Sequence, residues 1–207
     1  MKKVHPKSYL VGAVVCLLCL LGIIYYCFFA SFSTYEDTQY IYIDQDDTAD
    51  SVCAKLHPYG NAATLSAFST LSRMTGYGDH IRTGKYAIPA KENVLTLFRH
   101  IKNGRQEPIR LTIPESRTMD RLAGSLSRKL MLDSTVVAIL LRDSSFCAQQ
   151  GYDTATIACL FVPNTYEVYW DITIENLMKR MKKEHDRFWE GERTTKALAL
   201  GLTPNEV

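Results

Sequence analysis

The chain has 207 residues, 46% of them hydrophobic and 22% charged, which is enough for one or two small domains and an additional segment. Its 24 basic and 22 acidic residues give a net charge of +2 at pH 7. Three lysines, Lys2, Lys3 and Lys7, precede every other charged residue, so the remainder of the chain is close to neutral. Nucleic-acid binding needs a basic face, and this balance gives no support for it.

Residues 9–30 contain no charged residue, and most of them are aliphatic or aromatic. A bilayer-spanning helix needs roughly 20 apolar residues. Lysines precede this segment and acidic residues follow it, and cytoplasmic flanks carry the excess of Lys and Arg. We therefore expect a cytoplasmic tail over 1–8, a transmembrane helix over 9–30 and an extracytoplasmic remainder. The alternative is a cleaved signal peptide, but its apolar core is shorter, about 7–15 residues, and no Ala-x-Ala site follows here.

Three cysteines, Cys53, Cys147 and Cys159, lie outside this apolar segment. An odd number argues against a disulfide framework. One bridge between Cys147 and Cys159 is compatible with the sequence, and the alternative is three buried thiols that act as small apolar groups. No cluster of histidines accompanies them, so we expect no metal site.

Residues 31–38 are predicted to be a polar linker, and residues 39–107 to form a domain of alternating strands and helices. Thr48 is a good helix N-cap, and Asn103 followed by Gly104 is a typical helix end. Apolar residues at helical spacing indicate the helices between them. The predicted elements are a strand over 40–44, a helix capped by Thr48 and ending at Leu56, a helix over 64–74, a strand over 83–88 and a helix over 94–102.

The pattern of a strand followed by a capped helix starts again in residues 108–207. When Ile113 is aligned with Ile43, Thr118 falls on Thr48 without a gap; an internal repeat explains this, and chance recurrence of a common motif is the alternative. The predicted elements are a strand over 109–113, a helix capped by Thr118 and ending at Leu130, a helix over 133–143, a polar loop over 144–156, a long helix over 174–189, a short helix over 194–200 and the start of a further helix at Thr203 and Pro204.

The segment at 160–170, LFVPNTYEVYW, is rich in aromatic residues around a central proline. Aromatic rings can line a sugar-binding groove, but they are also ordinary core residues of strands. For Thr165 and Tyr166 both interpretations stay open, whereas Tyr169 and Trp170 are predicted to be core residues. Glu167 alternates with them and can face a groove. Glu115, which follows a proline in a turn, is predicted to cap a helix or to remain solvated.

Several short motifs in a fixed order resemble those of one known family, the YceG-like endolytic murein transglycosylases. These motifs are RTGKY at 82–86, IKNG at 101–104, LTIPE at 111–115 with Arg117 and Thr118, FVPNTYEVY at 161–169 and LGLTPNEV at 200–207. The resemblance covers residues 39–207 and also includes the N-terminal apolar segment. Each motif alone is weak, and their common order makes the resemblance specific.

The resemblance implies an α+β fold, with a LysM-like module over 39–107 and the first part of a mixed α/β catalytic domain over 108–207. It implies a lyase of the bacterial inner membrane that cuts nascent glycan strands without hydrolysis and leaves 1,6-anhydro-N-acetylmuramic acid ends. The implied partners are peptidoglycan glycan strands, the inner membrane and proteins of cell-wall synthesis and division, and no cofactor is implied. A non-catalytic, membrane-anchored, peptidoglycan-binding protein is the alternative.

In the family, the catalytic Glu lies in a motif that follows the one at 200–207, so the resemblance places it beyond Val207 and none of the carboxylates here is expected to replace it. Asn164 stands where the family more often has Asp, which keeps a positioning role and removes an acidic one. Ser116 replaces the usual Gly of a turn. The predicted substrate-binding residues are Asn164, Thr165, Tyr166 and Glu167. We also expect the apolar face of residues 157–168 to remain partly uncovered in this chain.

Overall fold

The computed structural model describes residues 6–116 and 118–206, without the side chains of residues 6–10 and of Cys27. Arg117 and Val207 of the motifs, and residues 1–5 of the predicted cytoplasmic tail, lie outside the described residues. Within these ranges the chain forms helices and four strands, which confirms the predicted α+β class. It divides into two compact units at Glu107 and Pro108. The assignment of these units as LysM-like and catalytic stays a prediction.

The first helix, α1, runs from Pro6 to Phe29. Its described side chains begin at Val11, and many of the apolar ones are exposed. Judged on the described residues, no helix combines the length and the apolarity that a bilayer crossing requires. The transmembrane helix predicted over 9–30 is therefore not supported.

The rest of the first unit consists of two strands and three α-helices, with a short 3-10 turn at Tyr77–Asp79. The strands pair antiparallel, with Ile41 opposite Tyr86. The elements are β1 (Gln39–Ile43), α2 (Ala49–Leu56), α3 (Ala62–Met74), β2 (Gly84–Ile88) and α4 (Val94–Lys102). One face of the strand pair and the apolar sides of the helices form a buried core.

Side-chain caps set where the helices of this unit begin. The Thr48 hydroxyl accepts a hydrogen bond from the Ser51 amide at 3.2 Å, and the Ser51 hydroxyl accepts one from the Thr48 amide at 2.8 Å. This reciprocal box satisfies two free N–H groups and starts α2 at the predicted residue. The next helix begins two residues before the predicted Thr64, because the Asn61 side chain accepts from the Thr64 amide at 3.0 Å.

Two motifs of the first unit pack against each other. Gly104 has a φ of +71°, and a β-carbon there would lie 2.7 Å from Arg82 Cδ. The hydroxyl of buried Tyr86 donates to the carbonyls of Arg82 and Thr83, at 3.0 and 3.2 Å. Lys85 Nζ lies 3.9 Å from the centre of the Tyr40 ring. These contacts give RTGKY and IKNG a structural role in fixing the end of β2 against the end of α4.

The second unit contains one antiparallel strand pair, β3–β4, with Leu111 opposite Tyr166. Its helices surround one face of this pair, and a 3-10 turn at Ile157–Leu160 leads into β4. The elements are β3 (Ile109–Ile113), α5 (Met119–Ser127), α6 (Ser134–Leu140), α7 (Ser144–Gln150), β4 (Asn164–Val168), α8 (Ile174–Trp189) and α9 (Glu192–Ala199).

Residues 133–156 differ from the prediction. The helix predicted over 133–143 ends at Leu140, and the predicted polar loop contains α7. The reason is a second cap: Asp143 Oδ1 accepts a hydrogen bond from the Phe146 amide at 2.7 Å and starts a new helix. This short helix turns Cys147 into the core. Its polar composition concealed it, because only one of its residues is fully buried.

The apolar side of residues 157–168 is covered, contrary to expectation. Ile157, Leu160, Tyr166 and Val168 are all buried. They belong to one core cluster with residues of α5, α6 and α8, because the apolar stripes of these helices close over the strand pair. The second unit therefore has a continuous core of its own, and the thiols of Cys147 and Cys159 are both free in it.

Replacing Gly84 by Ala should destabilise the first unit. Gly84 has a φ of +140°, and a β-carbon would lie 2.2 Å from Gln106 Cδ. Backbone strain of this kind costs about 1–3 kcal/mol. We expect Gly84→Ala to lower the free energy of unfolding by this amount in chemical denaturation. Gly78→Ala is the control, because its β-carbon would make an ordinary 3.7 Å contact with Ala49; equal effects of the two changes would contradict the prediction.

Candidate functional site

The predicted site residues lie on β4, where Thr165 and Glu167 share one side of the strand and Asn164 and Tyr166 share the other. Asn164, Thr165 and Glu167 are exposed, whereas Tyr166 is buried. Across the strand pair, Thr165 faces Thr112 and their hydroxyl oxygens are 2.9 Å apart. Side chains of opposite charge stand in the next facing pair, with Glu167 opposite Arg110 on the same exposed side. The solvent-facing side of the ribbon is therefore polar and can donate and accept hydrogen bonds.

Tyr166 belongs to the core. It is 5% exposed, and its hydroxyl donates to the Val162 carbonyl at 2.6 Å. Burial and the nearby Glu184 carboxylate raise the pKa of this phenol. The ring therefore supports the strand and is not open to a sugar in this arrangement. Trp170 also packs on the core, as predicted, but Tyr169 is 54% exposed, so the prediction that it is a core residue was wrong.

A cavity of about 360 Å³ opens at the end of the ribbon where β3 finishes and β4 begins. This volume is within the range of small-molecule sites. Its wall is mainly apolar, with a carboxylate and a hydroxyl at one side. The lining residues are Pro114, Glu115, Ser116, Leu122, Ala158, Cys159, Phe161, Val162, Pro163, Phe188, Trp189 and Pro204. Pro163 directly precedes Asn164, so the cavity adjoins the polar side of the ribbon.

The segment that forms one wall of the cavity is held by Asp153. Its carboxylate accepts hydrogen bonds from the Thr156 hydroxyl and amide, both at 2.7 Å, and from the Ala155 amide at 2.9 Å. These bonds, led by that of the Thr156 hydroxyl, lower the pKa of Asp153. The turn leads directly into Ile157–Leu160 and therefore positions Ala158 and Cys159 at the cavity.

None of the carboxylates at or beside the cavity resembles a glycosidic general acid. Such an acid needs a raised pKa, which burial in an apolar site provides. Glu115 lines the cavity but is exposed. Glu206 accepts hydrogen bonds from the Thr203 amide and hydroxyl at 2.8 and 2.7 Å, and these bonds lower its pKa. It acts as a cap at the turn that contains Pro204. Within the described residues, no group of three His, Cys, Asp or Glu side chains is placed to hold a metal ion.

Sequence reasoning missed the contribution of α8 to the cavity. Phe188 and Trp189 end this helix, and their rings are 5.5 Å apart in an edge-to-face arrangement. Phe188 is apolar but 37% exposed. The sequence does show an aromatic pair at the end of a strongly charged helix. It does not show that this pair lies near the turn at 114–116, because the two segments are distant in sequence.

Together, the fold and the cavity define a two-unit α+β protein with a concave, mostly apolar site beside a polar strand surface. The sequence profile of the YceG-like family matches residues 41–207. This chain therefore belongs to the YceG-like family.

The chain was also compared with curated proteins and with solved structures. No curated protein matches the chain. A crystal structure of a YceG-like protein from Listeria monocytogenes is similar to it, with 16% sequence identity and a TM-score of 0.41. The match covers 82% of this chain and 61% of that one, so this chain spans less than two thirds of the length of that protein.

Removal of the Tyr166 hydroxyl tests whether this residue is structural. Tyr166→Phe loses the hydrogen bond to Val162, and such a bond contributes about 0.5–1.5 kcal/mol to stability. We expect a loss of this size in chemical denaturation. Tyr169→Phe is the control, since its exposed hydroxyl should not affect stability. If Tyr166→Phe left stability unchanged, the hydroxyl of Tyr166 would not contribute to the core.

Proposed function

We propose that this chain acts in the cutting of peptidoglycan glycan strands, as a membrane-associated endolytic murein transglycosylase of the YceG-like family. Membership of this family supports a transglycosylase-like function. The observation that carries the proposal is the cavity of about 360 Å³ beside the exposed side of the β3–β4 ribbon. A glycan strand has apolar ring faces and polar hydroxyl and amide edges, and the cavity and the ribbon offer a surface of each kind.

In this proposal, residues 108–206 hold the strand. The apolar wall formed by Phe161, Val162 and Trp189 receives a sugar ring. Asn164 and Thr165, which are exposed at the start of β4, hydrogen-bond the polar edge of the strand. Positioning of this kind lowers the barrier by holding the reacting bond in one geometry. In lytic cleavage one carboxyl group donates its proton to the leaving glycosidic oxygen, and the resulting carboxylate accepts the proton of the 6-hydroxyl as that oxygen bonds to C1. A single acid–base group is therefore sufficient.

We do not propose any of the described carboxylates as the general acid that protonates the leaving oxygen. Glu115 and Glu167 are both exposed, and the pKa of Glu206 is lowered. Residues 108–206 are therefore proposed to bind and position the strand, and none of these three carboxylates is proposed as the acid.

A second candidate function is peptidoglycan binding by the first unit. The exposed side of the β1–β2 pair carries Tyr40 and Tyr42, which are 44% and 43% exposed. Lys85 lies over the ring of Tyr40 and faces Tyr42 across the strands. Two tyrosines and an ammonium group on one flat surface favour a ligand with ring faces and carboxylates. Peptidoglycan has both features.

We further propose that α1 attaches the protein to the surface of the bacterial inner membrane, near the proteins of cell-wall synthesis and division. The support is a continuous apolar surface: Val11, Leu17, Leu18 and Ile23 are each more than half exposed. Soluble proteins rarely leave such a patch in water.

Vesicle flotation tests the role of α1. We expect the full chain to float with phospholipid vesicles in a density gradient. Replacement of Leu17, Leu18, Leu20 and Leu21 by Gln should leave it at the bottom, because the apolar surface is lost. Leu198→Gln with Leu200→Gln is the control, since these exposed leucines lie elsewhere. Flotation that survives the changes in α1 would contradict the proposal.

Co-sedimentation with purified murein tests the main proposal. We expect the full chain to pellet with murein, and Ser116→Trp, which fills the cavity, to weaken retention about tenfold, or about 1.4 kcal/mol. Gln149→Trp, on the exposed side of α7, is the control. If retention depends on Tyr40 and Tyr42 and not on Ser116, the second candidate is favoured.

Mass spectrometry of the supernatant then tests the assignment of the acid. We expect no 1,6-anhydro products from residues 1–207, because none of the carboxylates at or beside the cavity has the setting of a general acid. The appearance of these products would place the acid within this chain. Failure of the native chain to pellet would overturn the proposed substrate.

A further inference from the structure

A second cavity, of about 350 Å³, opens at the opposite end of the β3–β4 ribbon from the first. Its lining residues are Pro108, Glu167, Val168, Tyr169, Ile172 and Arg180. We propose that this cavity binds a carboxylate-bearing part of a peptidoglycan strand. Arg180 receives the carboxylate and Tyr169 supports the adjoining ring or chain. The identity of the ligand rests on the proposed function, whereas the preference for a carboxylate rests on the geometry of the cavity.

Arg180 has hydrogen-bonding capacity that the protein leaves unused. Its Nη2 atom lies 3.0 Å from Glu184 Oε1, but this ion pair lacks hydrogen-bond geometry. Arg180 Nε and Glu184 Oε1 are both buried and without a hydrogen bond to any described residue. A buried donor without an acceptor is unfavourable, so a ligand oxygen that reaches the guanidinium can add a hydrogen bond to the ion pair that Arg180 makes with Glu184. A planar guanidinium suits a carboxylate because it can donate two parallel N–H bonds.

The surrounding charges select a single carboxylate over a polyanion. Glu184 lies beside Arg180 and also accepts a hydrogen bond from Arg187 at 3.4 Å. Glu167 lines the same cavity and is exposed. These two carboxylates offset the positive charge of Arg180, so the cavity is not a basic site of the kind that binds a nucleic acid or a polyphosphate. Glu167 can instead accept from a hydroxyl or an amide N–H of the ligand, which turns the ligand carboxylate towards Arg180.

The apolar part of the cavity explains why the ligand should be more than a free carboxylate. Tyr169 is 54% exposed beside Ile172, and an exposed aromatic ring is a common contact surface for ligands. The strands of the ribbon have five residues, which gives a length of about 16 Å. A glycan strand can follow the ribbon over Thr112 and Thr165 and reach both cavities. The second cavity would then bind the acidic groups that distinguish murein from neutral amino-sugar polymers.

Two soluble probes separate these contributions in the full chain in detergent. Muramyl dipeptide carries one free carboxylate, and chitotetraose has similar sugar rings without a carboxylate. We expect Arg180→Gln to weaken binding of muramyl dipeptide at least tenfold and to leave chitotetraose binding unchanged in calorimetric titrations. Arg180→Lys, which keeps the charge without the planar fork, should weaken it several-fold, and Tyr169→Ala should weaken binding of both probes.

Lys179→Gln is the matched control, because it removes one positive charge from the neighbouring, exposed position of α8. It should leave both affinities unchanged, and thermal unfolding of each variant reports whether the fold is intact.

The proposal is overturned if the native chain does not bind muramyl dipeptide, if Arg180→Gln binds it as tightly as the native chain, or if Lys179→Gln loses as much affinity as Arg180→Gln. If Arg180→Gln retains murein normally and binds the dipeptide as the native chain does, the carboxylate site is refuted and the proposed function stands. If the dipeptide binds through Arg180 but the native chain does not retain murein, the carboxylate site stands and the proposed function is refuted.

Discussion

Both units depend on one constraint: a two-stranded ribbon is stable only when one of its faces is covered. In β1–β2 and in β3–β4, residues of one parity are buried and those of the other face solvent. Helices supply the cover on the buried side. Their positions are set by caps, such as Thr48 in the first unit and Thr118 in the second, which accept hydrogen bonds from the amide three residues later. The opposite side of each ribbon stays open, and the candidate binding surfaces lie there.

This constraint divides the aromatic segment that first suggested a sugar site. Tyr166 and Val168 stabilise the second unit, whereas Thr165 and Glu167 face outward between two cavities. One strand therefore contributes to the core with one set of side chains and to the candidate site with the other. Substitutions on the two sides should consequently affect different properties, stability on the one side and binding on the other.

The two cavities differ in chemistry as well as position. The first is bounded by prolines and aromatic rings and offers mainly apolar contact. The second contains the guanidinium of Arg180 together with Glu167 and is more selective for charge. Both lie within residues 108–206, and the exposed hydroxyl pair of Thr112 and Thr165 stands on the ribbon between them. A polymeric ligand is favoured by this arrangement, since a small molecule would need only one of the cavities.

The sequence by itself determined the α+β class, the bounds of β3, α4 and α8, and the cap at Thr48, because these follow from local signals: residue alternation, helical spacing and capping side chains. It did not reveal α7, since that helix starts from a second cap at Asp143 and buries only Cys147. It also left Tyr166 open between groove and core and placed Tyr169 in the core, because both are tyrosines in one aromatic segment. Only the tertiary structure decided that the first lies under helices and the second at an open cavity. The same holds for Trp189, Ser116 and Arg180, whose neighbours are distant in sequence and come together only when the helices pack on the strands.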